Sequence, residues 1–190
     1  ETIIDEALLA AGKDPVQGRL ELMEDERSKA VIRLVAERAN WGVASAAGTG
    51  RGFSFTEAFG GRVAQVVDIS RDSAGRIKVD KVFCVVDCGM PLNPEIIEAQ
   101  VESAVMYGLS AALYDEVRID NGVVQTSNFH NYPVIRMNQA PDFDIHIVAS
   151  DLDPSGIGEP ATPGIAPAVA NAWYQLTGVR IRRLPFEKIS

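Results

Sequence analysis

The sequence predicts an α+β fold, a mixed sheet in two layers with packed helices, opened by a helical segment. Three observations carry this. Residues 1–45 hold three stretches with apolar residues at helical spacing and no strand pattern. Residues 62–70 and 77–87 read as long strands, and Val82 to Val86 is apolar on both faces, so that strand is covered on both sides. Two longer helices lie among the later strands without the regular strand–helix alternation of a Rossmann fold.

The elements follow in order. Ile3, Ile4, Ala7, Leu8 and Ala11 form one helical stripe, ended by Gly12. Asp14-Pro15 is a cap followed by proline at the first helical position, which predicts a second helix to about residue 25. Val31, Ile32, Val35 and Ala39 turn inward from a third helix over residues 28–40. These helices carry no chemistry. The expected division is a helical segment over residues 1–45 and an α+β domain over 46–190, with one continuous domain over 1–190 as the alternative.

Gly48 to Gly52 reads as a flexible loop whose spacing meets neither the Rossmann nor the P-loop pattern. Strands follow at 52–59, 62–70 and 77–87. Asn93-Pro94 with Glu95 is a strong helix start, and the helix runs to about Leu113. Its core stripe is Ile97, Val101, Val105, Leu109 and Ala112. A second stripe of Gln100, Ala104, Gly108 and Ala111 lets another group approach the backbone, with Gln100 as its polar end. Asn121-Gly122 marks a hairpin between residues 114–119 and 123–127. Residues 142–149 alternate as a strand with His146 on its outer face, and a final strand is expected over 179–184.

Composition bounds the function. The 190 residues are enough for a real core, and the net charge of -8 argues against a nucleic-acid or membrane-surface binder. No apolar run approaches the length of a membrane span. Cys84 and Cys88 lie four residues apart on a strand, about 13 Å, too far for a disulfide. His130 and His146 lack zinc-site spacing, so no metal held by protein side chains alone is expected. A thiol hydrolase built on Cys88 and His130 lacks an orienting third group.

The stretch Ser155 to Gly164 stands apart. It holds three glycines and two prolines around one carboxylate, Glu159. Gly156 and Gly158 permit close backbone approach, and Pro160 drives Glu159 out of the helical region. A bent, restricted backbone that aims one carboxylate is expected, followed by a helix. No Lys or Arg occurs between Met137 and Val179.

The motifs keep an order that resembles a known family. They are Ile4-Asp5-Glu6 with Ala11-Gly12-Lys13-Asp14-Pro15, Val86-Asp87-Cys88-Gly89 with Asn93-Pro94, and Glu98-Ala99-Gln100-Val101-Glu102. Then come Tyr107-Gly108-Leu109, Ser127-Asn128-Phe129-His130-Asn131-Tyr132-Pro133, and Gly156-Ile157-Gly158-Glu159-Pro160 with Ala166-Pro167-Ala168. The chain is similar to the C-terminal part of the molybdenum-binding large subunit of the xanthine oxidase and aldehyde oxidase family, nearest the isoquinoline 1-oxidoreductase beta-subunit type. The resemblance implies a molybdenum hydroxylase acting on an N-heteroaromatic ring carbon or an aldehyde. It implies Glu159 as general base toward the molybdenum-bound hydroxyl, and Gln100, Gly156, Ile157 and Gly158 beside a molybdopterin cofactor, a cytosine dinucleotide form in most bacterial members. The implied partners are the remainder of the subunit, a 2Fe–2S electron-transfer subunit and a small-molecule substrate.

There is one departure: Ser103-Ala104 stands where the family often has two glycines. The family's other pterin-holding segments are not in this sequence, so no cofactor is expected in this chain alone. The competing reading is a non-catalytic α+β binding or assembly domain that keeps the scaffold.

Overall fold

The computed structural model describes residues 1–186. Its centre is a four-stranded mixed sheet in the order β1 (Gly50–Ala58), β2 (Gly61–Arg71), β3 (Ile77–Asp87), β6 (Asp142–Ile147). The first three strands are antiparallel and β6 runs parallel to β3. The predicted α+β class with a mixed sheet is what forms.

Both faces of the sheet are covered. On one lie α4 (Pro94–Leu113) and α5 (Thr162–Thr177), whose Val101, Val105, Leu109, Ile165 and Val169 join Val82, Cys84 and Val86 in one core. On the other lies α3 (Glu26–Arg38), whose Val31, Ile32 and Val35 pack on Phe53, Val66, Phe83 and Val85. This explains why Val82 to Val86 is apolar in both directions. The helical segment thus adds a third layer to the two expected and shares its core with the strands.

The N-terminal helices α1 (Thr2–Ala10) and α2 (Pro15–Leu22) are tied to α3 and the sheet by polar anchors. The Asp14 carboxylate accepts from the Val16 and Gln17 amides and caps α2. Asp25, expected near the end of the second helix, instead caps α3 by accepting from the Ser28 amide. Arg19 is fully buried, pairs with Asp5 and Glu1, and lies 5.1 Å over the Phe53 ring.

Two glycines read as loop flexibility have another use. An added Cβ at Gly52 would lie 2.1 Å from the Ala168 carbonyl oxygen, and one at Gly50 would lie 2.3 Å from that of Ala172. They let α5 lie directly on β1. Gly108 does the same between α4 and α5, where a Cβ would meet Ile165 at 2.4 Å and the Thr162 oxygen at 2.6 Å. The small-residue stripe of α4 therefore receives α5.

Two expectations need correction. The predicted last strand does not form: residues 179–184 run outside the sheet. Arg180 stacks 3.5 Å from the Tyr174 ring and Arg182 pairs with Glu6, so these cations bind the segment to α5 and α1. The expected hairpin shrinks to β4 (Ile119–Asp120) and β5 (Val123–Val124) around Asn121-Gly122, both at positive φ. Its apolar residues are exposed, and a two-residue pair with no packing face cannot extend.

Candidate functional site

The loop from β6 to α5 crosses the strand ends where β1 meets β2 and β3 ends. The Val148 amide donates to Val86 O at 2.8 Å, continuing the β3–β6 pairing. The Met90 amide then donates to Leu152 O at 2.8 Å and the Ser155 amide to Cys88 O at 2.8 Å. The Gly156 amide donates to Phe59 O at 3.2 Å, which ties the loop to the β1–β2 turn. The approach is close: Gly89 sits at φ +74°, and a Cβ there would lie 2.2 Å from Asp153 O.

The turn after Cys88 has its own anchor. Arg27 from α3 grips Asp87 with two hydrogen bonds, 2.9 Å from Nε and 2.7 Å from Nη2. The Gly89 amide donates to the same carboxylate at 3.1 Å. Burial pushes the Asp87 carboxyl up, but Arg27 and the Gly89 amide outweigh it and hold it below the usual range.

Glu159 lies beyond these ties. It is exposed, and its carboxylate has no hydrogen-bond or ion-pair partner among the described residues. Its backbone is held, because Thr162 donates its amide to Glu159 O at 2.9 Å and closes a turn over Pro160-Ala161. Pro160 and Ala161 are buried beneath it. Gln100 is exposed on α4 with its amide unpartnered, and a Cβ on Gly158 would meet nothing nearer than Gln100 Nε2, at 3.7 Å. Ile157 turns inward onto the α4–α5 core. The structure thus brings Gln100, Gly158 and Glu159 to one open face.

The chain is similar to known proteins along most of its length. A model of the molybdopterin cofactor-binding domain matches residues 17–141. The isoquinoline 1-oxidoreductase beta subunit of Brevundimonas diminuta is 37% identical over 190 aligned residues, 97% of this chain and 24% of that protein. A nicotinate dehydrogenase subunit of Pseudomonas putida is 32% identical over 97% of this chain and 17% of its own length. The chain belongs to the molybdopterin cofactor-binding family of the xanthine oxidase and aldehyde oxidase enzymes. Quinoline 2-oxidoreductase from Pseudomonas putida 86 shares the fold, with a TM-score of 0.61 and 24% identity over 66% of this chain and 17% of that one. The chain spans about a quarter or less of the length of these relatives.

The residues present fit one wall of a polar cofactor site. The Gln100 amide is unspent and the Gly156 to Gly158 backbone carries one inward side chain, whereas at the start of α5 the Thr162 amide is spent on Glu159 O and Pro163 has no amide hydrogen. Among the described residues no three His, Cys, Asp or Glu converge as metal ligands.

The two cysteines are core residues. Burial pushes the Cys84 thiol up to about 12, with Gln65 opposing, and burial followed by the Asp87 charge raises Cys88. Neither forms a thiolate nucleophile near neutral pH. His130 is exposed in the loop after β5. A cavity of about 610 Å³ opens at the opposite end of the sheet, lined by Asp72, Lys78, Tyr114 and Trp173 among others, away from Glu159.

One contributor to the site escaped the sequence reading. The Gln65 side chain on β2 donates from Nε2 to Ala161 O at 2.8 Å. Its only sequence signal is a glutamine inside the otherwise apolar run Val63-Ala64-Gln65-Val66-Val67.

Proposed function

We propose that the chain is the C-terminal portion of a molybdenum hydroxylase that hydroxylates an N-heteroaromatic ring carbon or oxidises an aldehyde, with Glu159 as its general base. The observation that carries this is the exposed, unpartnered Glu159 carboxylate on a loop tied to the strand ends, beside the unpartnered Gln100 amide. In this reading Gln100 donates a hydrogen bond to molybdopterin, a cytosine dinucleotide form. Gly156 and Gly158 let it approach the backbone, and Ile157 packs beneath it. The cofactor supplies the two-electron oxidation chemistry when bound.

This chain's own residues do four things. The amide of Gln100 orients the cofactor edge. The bare glycine backbone admits it without a side chain between. Glu159 takes up the proton lost when the water-derived hydroxyl becomes a nucleophile. The strand-end ties keep that carboxylate in place while it does so. A carboxylate is a stronger base near neutral pH where water is withdrawn from it. The remainder of the subunit supplies that cover over the open face, and a 2Fe–2S subunit carries the electrons away.

The test is Glu159→Gln in the assembled enzyme. The variant keeps the loop's shape and its backbone bonds but cannot accept a proton. Molybdenum content should be unchanged and kcat should fall about 10²- to 10⁴-fold. Full activity in this variant refutes the assignment. A chain that neither acquires molybdenum with its partners nor supports turnover is instead a scaffold domain.

A further inference from the structure

Gln65 has no packing reason to be polar. It sits in the middle of β2, is fully buried, and is paired in register with Ser54 on β1 and Cys84 on β3. A buried primary amide is unfavourable unless its groups are spent on partners. Nε2 is spent on Ala161 O, while Oε1 makes no regular hydrogen bond although the Cys84 thiol is near enough to feel it. A methionine would fill the same space with no polar atom to satisfy. The one bond Gln65 makes therefore has to account for its place.

That bond falls at a particular point of the chain. Upstream, the loop is fixed by backbone bonds from Ser155 to Cys88 and from Gly156 to Phe59. Downstream it is fixed by the Gln65 amide at Ala161. Glu159 lies between, in a turn closed by the Thr162 amide. Ala161 opens α5 without any side-chain cap, so the sheet and not the helix holds this corner.

The same floor continues under the first turn of the helix. A Cβ on Gly164 would lie 2.9 Å from Gln65 Oε1, 3.0 Å from Ser54 Oγ and 3.1 Å from Thr56 Oγ1. Glycine at 164 lets the turn rest directly on these three polar atoms. The loop is thus seated from below by side chains of two strands, and Gln65 makes the only hydrogen bond from them to its backbone among the described residues.

We propose that Gln65 is a positioning residue for Glu159: by holding the Ala161 carbonyl it fixes the turn from Glu159 to Thr162 and the direction in which the carboxylate is presented. Fully buried, Gln65 reaches neither cofactor nor substrate and acts through the backbone alone. The inference rests on the reading of Glu159 as the base.

The test uses the assembled molybdenum enzyme with Gln65→Met and Gln65→Glu. Methionine keeps the volume and removes the donor. Glutamic acid keeps the shape and donates to Ala161 O only when protonated. Two quantities are read, hydrogen exchange of the Thr162 amide and the pH profile of kcat/KM. In Gln65→Met, Thr162 exchange rises about tenfold while β2 and β3 stay protected. In the same variant kcat falls about tenfold or more at unchanged KM and molybdenum content, and the acid limb of the profile moves. In Gln65→Glu, Thr162 protection returns as pH falls and is lost as pH rises, and this variant keeps the test open if Gln65→Met does not assemble.

Unchanged Thr162 protection together with an unmoved acid limb overturns the proposal. A loss of kcat with both of these unmoved overturns it as well, since that is what a merely structural role would give. Glu159→Gln is run alongside. Full activity there sinks the base reading, while the Thr162 exchange result still decides on its own whether Gln65 holds the turn.

Discussion

Replacing Gly52 with alanine should loosen the contact on which α5 rests. The new Cβ would sit 2.1 Å from Ala168 O and 2.3 Å from the Ala172 amide nitrogen; against an ordinary contact of 3.4 Å the first is short by 1.3 Å. Both neighbours are helix backbone, so no side-chain rotation relieves the overlap, and the helix has to retreat from the strand. That retreat opens the layer in which Ile165, Ala168, Val169 and Ala172 are buried. Overpacking of this kind costs about 1–3 kcal/mol, and removing a strand glycine returns about 0.5–1 kcal/mol. With an immovable neighbour the upper end applies, leaving a net loss of about 2 kcal/mol. For a chain of this size that lowers Tm by about 4–8 °C. Urea unfolding followed by circular dichroism reads it as a lower midpoint at unchanged m-value. Gly158→Ala is the matched control, because its Cβ meets only Gln100 Nε2 at 3.7 Å, and it should stay within about 0.5 kcal/mol of the parent. Adding Ala172→Gly to Gly52→Ala should restore nothing, since the clash is with main-chain atoms. A Gly52→Ala protein as stable as the Gly158→Ala control would show that α5 does not rest on this contact.

Two further outcomes follow from the buried charges. Because Arg27 and the Gly89 amide hold the Asp87 carboxyl below its usual range, Asp87 contributes stability that is present above the ordinary Asp value of about 4 and is lost as pH falls through the lowered folded value. Arg27→Ala should lower stability by about 1–2 kcal/mol at pH 7, Arg27 being partly exposed, and flatten the acid side of a Tm-against-pH curve. Burial raises Asp5, with Arg19 opposing, so its contribution is full below the unfolded value and is lost as pH rises. Arg19→Met removes the opposing cation; its penalty in urea unfolding should be about 3–5 kcal/mol at pH 8 and shrink as pH falls and Asp5 takes up a proton.

What a sequence of this kind shows and hides divides along a physical line. β3 is readable from end to end because its two-sided apolar run reports burial directly, and the start of α4 because Asn93 accepts from the Ile96 amide as the Asn-Pro pair implies. The restricted loop around Glu159 is readable from its own glycines and prolines. The unread features depend on distant partners. Gly50 and Gly52 look like loop residues until α5, more than 100 residues later, comes to rest on them. Arg180 and Arg182 alternate as in a strand, yet Tyr174 and Glu6 claim them. Gln65 is a single polar interruption whose meaning lies at Ala161. Local pattern reports burial and backbone preference; it does not report which remote carbonyl an amide will find.

The sheet has two ends of different character. Phe59, Asp87 to Met90 and the Glu159 loop crowd one end, while the Asp72 to Arg76 turn lies at the other, with Gly75 at φ +79° and open space around it. A fluorophore or affinity handle spliced in at Gly75 would therefore ride on the frame without touching the loop, and the distance from that label to a second probe near Phe59 would serve as a ruler for how a cofactor or a covering polypeptide closes over Glu159.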